Sequence, residues 1–88
     1  MDDHLLTPSL LRAARALLGL SQTELGQKAG VSRKAIATFE TAAPSDRVDP
    51  RRKAVLGTLR QYLEVECDIE FTFASDKTGE GVRRAKSR

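Results

Sequence analysis

Apolar positions in this chain recur at helical spacing along most of its length and switch to alternation only near the end. Leu10, Leu11, Ala14, Leu17 and Leu18 fall within roughly 120° of one another at about 100° per residue, which predicts a first helix with one buried stripe. Thr7 before Pro8 supplies an N-cap and then a proline where the missing N–H costs nothing. The helix is expected to run to about Leu18 and to end at Gly19. On the stripe's polar side Arg12 points away and Arg15 sits at the border. Residues Met1 to Leu6 show no period and read as a loose arm.

Ser21 to Glu40 carries two start signals and one stop signal. Ser21 followed by Glu24 is a capping box, with Leu20 placed as its hydrophobic staple. Ser32 is a second N-cap only eleven positions on. Between them Gly30 suits the left-handed residue that ends a short helix. Two short helices joined by a tight turn follow, a helix-turn-helix. Leu25 and Ala29 face inward, with Val31 in the turn. Gly26 sits mid-helix, where glycine costs about 0.5–1 kcal/mol against alanine. Close approach of the two helices is a physical reason for it.

Pro44 blocks continuation of the third helix, and residues 41–49 read as a loop. Asp49-Pro50 repeats the cap-plus-proline device. A fourth helix to about Val65 then buries Val55, Leu56, Leu59, Tyr62 and Leu63. After Cys67 the period becomes two: Ile69, Phe71 and Phe73 alternate with polar residues, the pattern of a strand with one buried face. Residues 75–81 are turn formers, and Val82 to Lys86 can return as a second strand. Two strands alone are marginal in water, so the hairpin must pack on the helices or pair with another chain. The expected fold is mainly α: a four-helix domain over residues 1–66, with a C-terminal β-hairpin and basic tail over 67–88 able to form a dimer sheet.

Composition narrows the picture. With 88 residues, 40% apolar and 31% charged, the chain suits one soluble globular domain. One cysteine excludes an intrachain disulfide, and no apolar run approaches a membrane span. The acidic start lacks a signal peptide's basic and apolar regions, and a reducing cytoplasm is expected. His4 and Cys67 are the only histidine and cysteine. They cannot assemble a metal site or a Cys–His nucleophile, so no cofactor, no metal and no enzymatic activity are expected. No ligand pocket and no small-molecule ligand are evident from the sequence.

The net charge of +3 matters through its distribution. Arg33, Lys34, Ala37 and Thr38 share an arc of roughly 140° on the third helix, opposite Ala35, Ile36 and Phe39. A basic, small-residue face of this kind can approach a major groove, where Arg and Lys bond guanine and Thr can bond a base or touch a thymine methyl. The alternative is a solvated charged face; the double cap and glycine turn favour DNA. Arg51, Arg52 and Lys53 crowd the first turn of the fourth helix, where the dipole disfavours cations. A phosphate there would relieve the conflict; an exposed basic turn is the equal alternative.

Residues 10–63, and above all SQTELGQKAGVSRKAIATFE with the preceding helix LLRAARALLGL, resemble the helix-turn-helix domain of the lambdoid phage repressor and Cro family, found in small bacterial regulators. The resemblance implies a lambda-repressor-like fold of four or five helices and a transcriptional regulator, usually a repressor, binding an inverted-repeat operator as a homodimer. It implies that Gln22 bonds a phosphate. It also implies that Ser32, Arg33, Lys34 and Thr38 meet bases or nearby phosphates, with Ala37 among them, and that Arg15 and Glu40 form a structural salt bridge. Two departures stand out: the family usually has alanine where Gly26 stands, and its ending is often a helix rather than a hairpin.

Double-stranded DNA is therefore the expected partner, read by Arg33, Lys34, Ala37 and Thr38. Its phosphates would be held by Gln22, Ser32, Arg47, Arg51, Arg52 and Lys53. Ile69, Phe71, Phe73 and Val82 are the expected dimer contacts. A rival reading makes the chain an antitoxin-like or anti-activator interaction module that docks a partner protein through the hairpin.

Overall fold

The structure, a computed structural model, describes residues 4–42 and 50–85. The chain forms helices α1 (Pro8–Leu18), α2 (Gln22–Ala29), α3 (Arg33–Glu40) and α4 (Pro50–Gln61), then strands β1 (Ile69–Thr72) and β2 (Gly81–Arg84). The last turn of α4 widens into a π-helical turn, Tyr62–Glu66. The fold is thus mainly helical with a C-terminal antiparallel hairpin.

Local chemistry sets the boundaries. Thr7 accepts a hydrogen bond from the Leu10 N–H, and Gly19 closes α1 in the left-handed region at φ 69°. The predicted Asp49 cap, the Pro44 stop and the tail from Lys86 lie outside the described residues.

One core joins the elements. Leu10, Leu11 and Ala14 of α1 meet Leu25 of α2, Ile36 and Phe39 of α3, Leu56 and Leu59 of α4, Leu63, and Ile69 of β1. Two expectations change here. Leu17 is 45% exposed, because its position at the edge of the stripe faces solvent rather than another element. Residues 4–6 are no loose arm: Leu6 is 3% exposed within the core. The His4 ring stacks on Phe73 at 4.7 Å, and the His4 carbonyl accepts from Arg60 Nη1 at 2.7 Å. The Arg60 guanidinium also lies 4.7 Å from the Phe73 ring centroid, a cation–π contact.

The hairpin packs on the chain's own helices. Ile69 enters the core, and Phe71, Phe73 and Val82 lie against it half-buried. Phe71 pairs with Val82 and Glu70 with Arg83, whose Nε donates to Glu70 at 2.6 Å. β2 runs beside α1, and Ser9 on α1 donates to Glu80 in the hairpin loop. Asp68 turns the chain from helix to strand at φ 57°, a left-handed position that a short polar side chain tolerates. Among the described residues no helix is long and apolar enough to cross a membrane.

Candidate nucleic-acid interface

The turn between α2 and α3 is built by four small residues. The Ser21 hydroxyl accepts from the Glu24 N–H at 3.0 Å, and the Glu24 carboxylate accepts from the Ser21 N–H at 2.9 Å. The backbone N–H bond, with the hydroxyl's help, holds the Glu24 carboxyl below its ordinary value. Gly30 ends α2 at φ 74°. Ser32 caps α3, accepting from the Ala35 N–H at 3.1 Å. Gly26 is buried, and a Cβ built there would fall on the Val31 carbonyl oxygen. Its absent side chain therefore makes room for the backbone of the turn itself, with the Arg33 main-chain nitrogen and the Ile36 side chain of α3 each 3.5 Å away.

These constraints fix the roll of α3. Ile36 and Phe39 are buried at 0% and 5% exposure. Arg33, Lys34 and Thr38 are exposed, with Ala35 and Ala37 half-buried between the two faces. The rest of the chain leaves the cationic side of the helix uncovered.

Behind this face a hydrogen-bonded network crosses three helices. Glu40 is 4% exposed, and its carboxylate receives Arg15 Nε at 2.7 Å and Nη2 at 2.8 Å. The structure thus brings Arg15 and Glu40 together as a bidentate pair, a geometry that matches guanidinium to carboxylate. Arg15 also donates from Nη1 to the Leu20 carbonyl at 2.9 Å, tying α1 to the chain entering α2. Burial pushes the Glu40 carboxyl up, but hydrogen bonds from Arg15 and Gln22 and the charges of Arg15 and Arg12 outweigh it, and the net shift is downward. The Arg15 guanidinium is shifted up, chiefly by its bond to Glu40.

Gln22 extends this network to the surface. Its amide donates to Glu40 at 3.2 Å, which leaves the amide oxygen facing Arg33 Nη1 at 3.5 Å. Glu40 offers only acceptors, so the amide must present its nitrogen inward. Sequence reasoning missed this link, and it also missed Arg12. Placed away from the apolar stripe, Arg12 reaches across to donate to the Glu40 main-chain carbonyl at 2.6 Å. A cation there satisfies an orphan carbonyl at the end of α3 and complements the helix dipole.

The remaining residues of interest divide by place. The cap Ser32 and Lys34 and Thr38 of α3 border one groove with Arg51 and Arg52 of α4. Lys53 is exposed on the same first turn of α4. Arg47 lies outside the described residues. Ile69, expected as a dimer contact, is 2% exposed and enclosed within the chain's own core, whereas Phe71, Phe73 and Val82 keep part of their surface in solvent. Among the described residues no group of His, Cys, Asp and Glu side chains gathers as metal ligands would.

Comparison with known proteins adds one finding. A family model described as helix-turn-helix matches residues 11–48, the span from α1 through the turn to the segment before α4. No curated protein and no solved structure matches the chain. The matched span contains the capped helices, the glycine turn and the exposed face of α3, so residues 11–48 are similar to a helix-turn-helix family of DNA-binding transcription regulators.

Proposed function

We propose that the chain is a small homodimeric repressor in the cytoplasm that binds an inverted-repeat operator, with α3 as its recognition helix. The observation that carries this reading is the uncovered cationic face of α3, on which Arg33, Lys34 and Thr38 are all exposed. Arg33 and Lys34 read guanine edges, and Thr38 and Ala37 complete the readout. Gln22, Ser32, Arg47, Arg51, Arg52 and Lys53 hold phosphates. Arg51 and Arg52 border the same groove as Lys34, so base and phosphate contacts come from adjoining elements. Arg15 and Glu40 act structurally, fixing α3 against α1. Bound over a promoter, the dimer excludes polymerase.

Two recognition helices related by a two-fold axis enter successive major grooves about 34–36 Å apart. The dimer contact uses the half-exposed Phe71, Phe73 and Val82; Ile69 contributes by seating the hairpin. The test is a footprint over the DNA flanking the chain's own gene at two salt concentrations. Two protected half-sites one helical turn apart, weakening steeply with salt, are expected. Uniform protection without a preferred site would overturn sequence-specific reading.

A further inference from the structure

The groove between α3 and α4 is more than a seat for phosphates. It is an open groove of about 340 Å³, at the lower end of the roughly 300–1,000 Å³ of small-molecule sites. Its lining is of two kinds. Ala35 and Phe39 of α3 and Val55 and Leu56 of α4 bring apolar surface to it. Phe39 and Leu56, at 5% and 1% exposure, close it off from the core. Lys34 and Arg51, both exposed, stand on its border from opposite helices. No acidic side chain appears among the described residues that line it. A phosphodiester has no use for an apolar floor, because it presents charged oxygens and strongly hydrated surface. A carboxylate or sulfonate attached to an aryl or short alkyl body uses both parts: the body covers the floor and the anion meets the cations.

We propose that this groove binds a small anionic amphiphile, an aryl or alkyl carboxylate, and that its occupation displaces DNA. The displacement half rests on the function proposed above, since Lys34, Thr38 and Arg51 are also that reading's DNA contacts. The volume favours a small molecule over a peptide helix, which would need a longer trough. The anion draws Lys34 and Arg51 inward and neutralises the charge that a phosphate would otherwise meet. The ligand and the duplex therefore compete for the same two side chains and reduce each other's affinity by the same factor.

The experiment uses the full chain and two probes with one aryl tail and opposite charges, 4-phenylbutyrate and 4-phenylbutylamine. Backbone amide shifts are followed by NMR as each is added, without DNA. Saturable shifts confined to α3 and the first half of α4 are expected with the carboxylate and not with the amine. Lys34→Gln, a surface change, is expected to weaken the carboxylate by roughly tenfold, the scale of one charge-assisted hydrogen bond. Ala35→Leu fills the groove from its half-buried wall and is expected to abolish saturation, with helix content checked by circular dichroism. Absent saturation, equal response to the amine, or shifts centred elsewhere would each overturn the site. Duplex binding is measured separately, with and without the carboxylate, on random-sequence DNA. If the chain does not bind duplex yet the carboxylate saturates, the regulator reading fails and the site stands. If duplex binds and the saturating carboxylate leaves it unchanged, the competition fails and the regulator reading stands.

Discussion

Glu40 is the one acid in α3, and what surrounds it decides how the neighbouring cations can be used. Its two carboxylate oxygens are taken by Arg15 and Gln22, so none of its charge is left to neutralise Arg33 or Lys34. Gln22 instead turns its amide oxygen toward Arg33, biasing that guanidinium without cancelling it. Replacing Glu40 with alanine strands Arg15. Breaking a buried pair costs about 3–5 kcal/mol, and the low end applies because the Arg15 side chain stays 20% exposed. A loss of about 3 kcal/mol in urea unfolding is therefore expected for Glu40→Ala; a change within experimental error would mean the pair contributes nothing net. The pH dependence has the same origin. The folded Glu40 carboxyl lies below its ordinary value, so its contribution is fully present above the unfolded value of about 4.3 and is lost as pH falls through the folded one. Acid unfolding of the wild type should steepen below about pH 4.3, and Glu40→Ala should remove that part of the slope. At the surface, Arg33→Ala is expected to lose about 1–3 kcal/mol of operator affinity and relax preference at one base pair. Lys53→Ala should weaken all sequences alike and reduce the salt slope by about one. Unchanged preference in Arg33→Ala would remove it from the readout.

At the scale of elements, the close approach of α2 to the turn before α3 is a backbone contact at Gly26, beside the packing of Leu25 on Ile36 and Phe39 in the core. The Val31 N–H donates to the Gly26 carbonyl at 2.9 Å, and the Val31 carbonyl occupies the place of a Gly26 side chain. Alanine at Gly26 would improve helix propensity by about 1 kcal/mol. The added methyl, however, must push backbone rather than a flexible side chain, and overpacking of that kind costs about 1–3 kcal/mol. Gly26→Ala should therefore be neutral to destabilising by up to about 2 kcal/mol, with DNA affinity falling more than stability because α3 is re-aimed. A stabilised variant with full affinity would show that the turn yields freely. The caps and the glycine turn were legible in the sequence because each is a contact between residues two to five apart. Ile36 and Phe39 of α3 and Leu56, Leu59 and Leu63 along α4 and its last turn were legible because periodicity reports a buried face directly, whereas Ala35, Val55 and Tyr62 on the same expected faces are only half-buried. Leu17 was misjudged because a stripe's edge is set by what packs beside it, which periodicity does not contain. The clamp on His4 and Leu6, the reach of Arg12 to α3 and the groove between α3 and α4 all join residues far apart in the chain. No local pattern announces them.

For the molecule as a whole, the proposed function requires two copies to place their α3 helices on one face of a duplex. The hairpin is already anchored: Ile69 is within the core, and Ser9 holds the loop through Glu80. An anchored hairpin is a rigid platform, and rigidity is what fixed half-site spacing demands. Its β2 strand carries Arg83 and Arg84, and like charges opposed across a two-fold axis are destabilising. β1 has one charge, Glu70, already paired with Arg83, so its edge is the better candidate for contact with a second copy. An antiparallel pairing centred on Phe71 would set Phe71 against its symmetry mate and Glu70 against Thr72, avoiding opposed charges. Thr72→Glu on the exposed side of β1 would then place two acids across the axis in each half of the sheet. Sedimentation should show the wild type dimerising with rising concentration and Thr72→Glu shifted toward monomer, with unchanged helix content. Operator binding by the variant should lose its cooperative concentration dependence while one half-site remains recognised. Dimerisation undisturbed by Thr72→Glu would move the interface off this edge, and a wild type that stays monomeric on its operator would end the two-fold scheme.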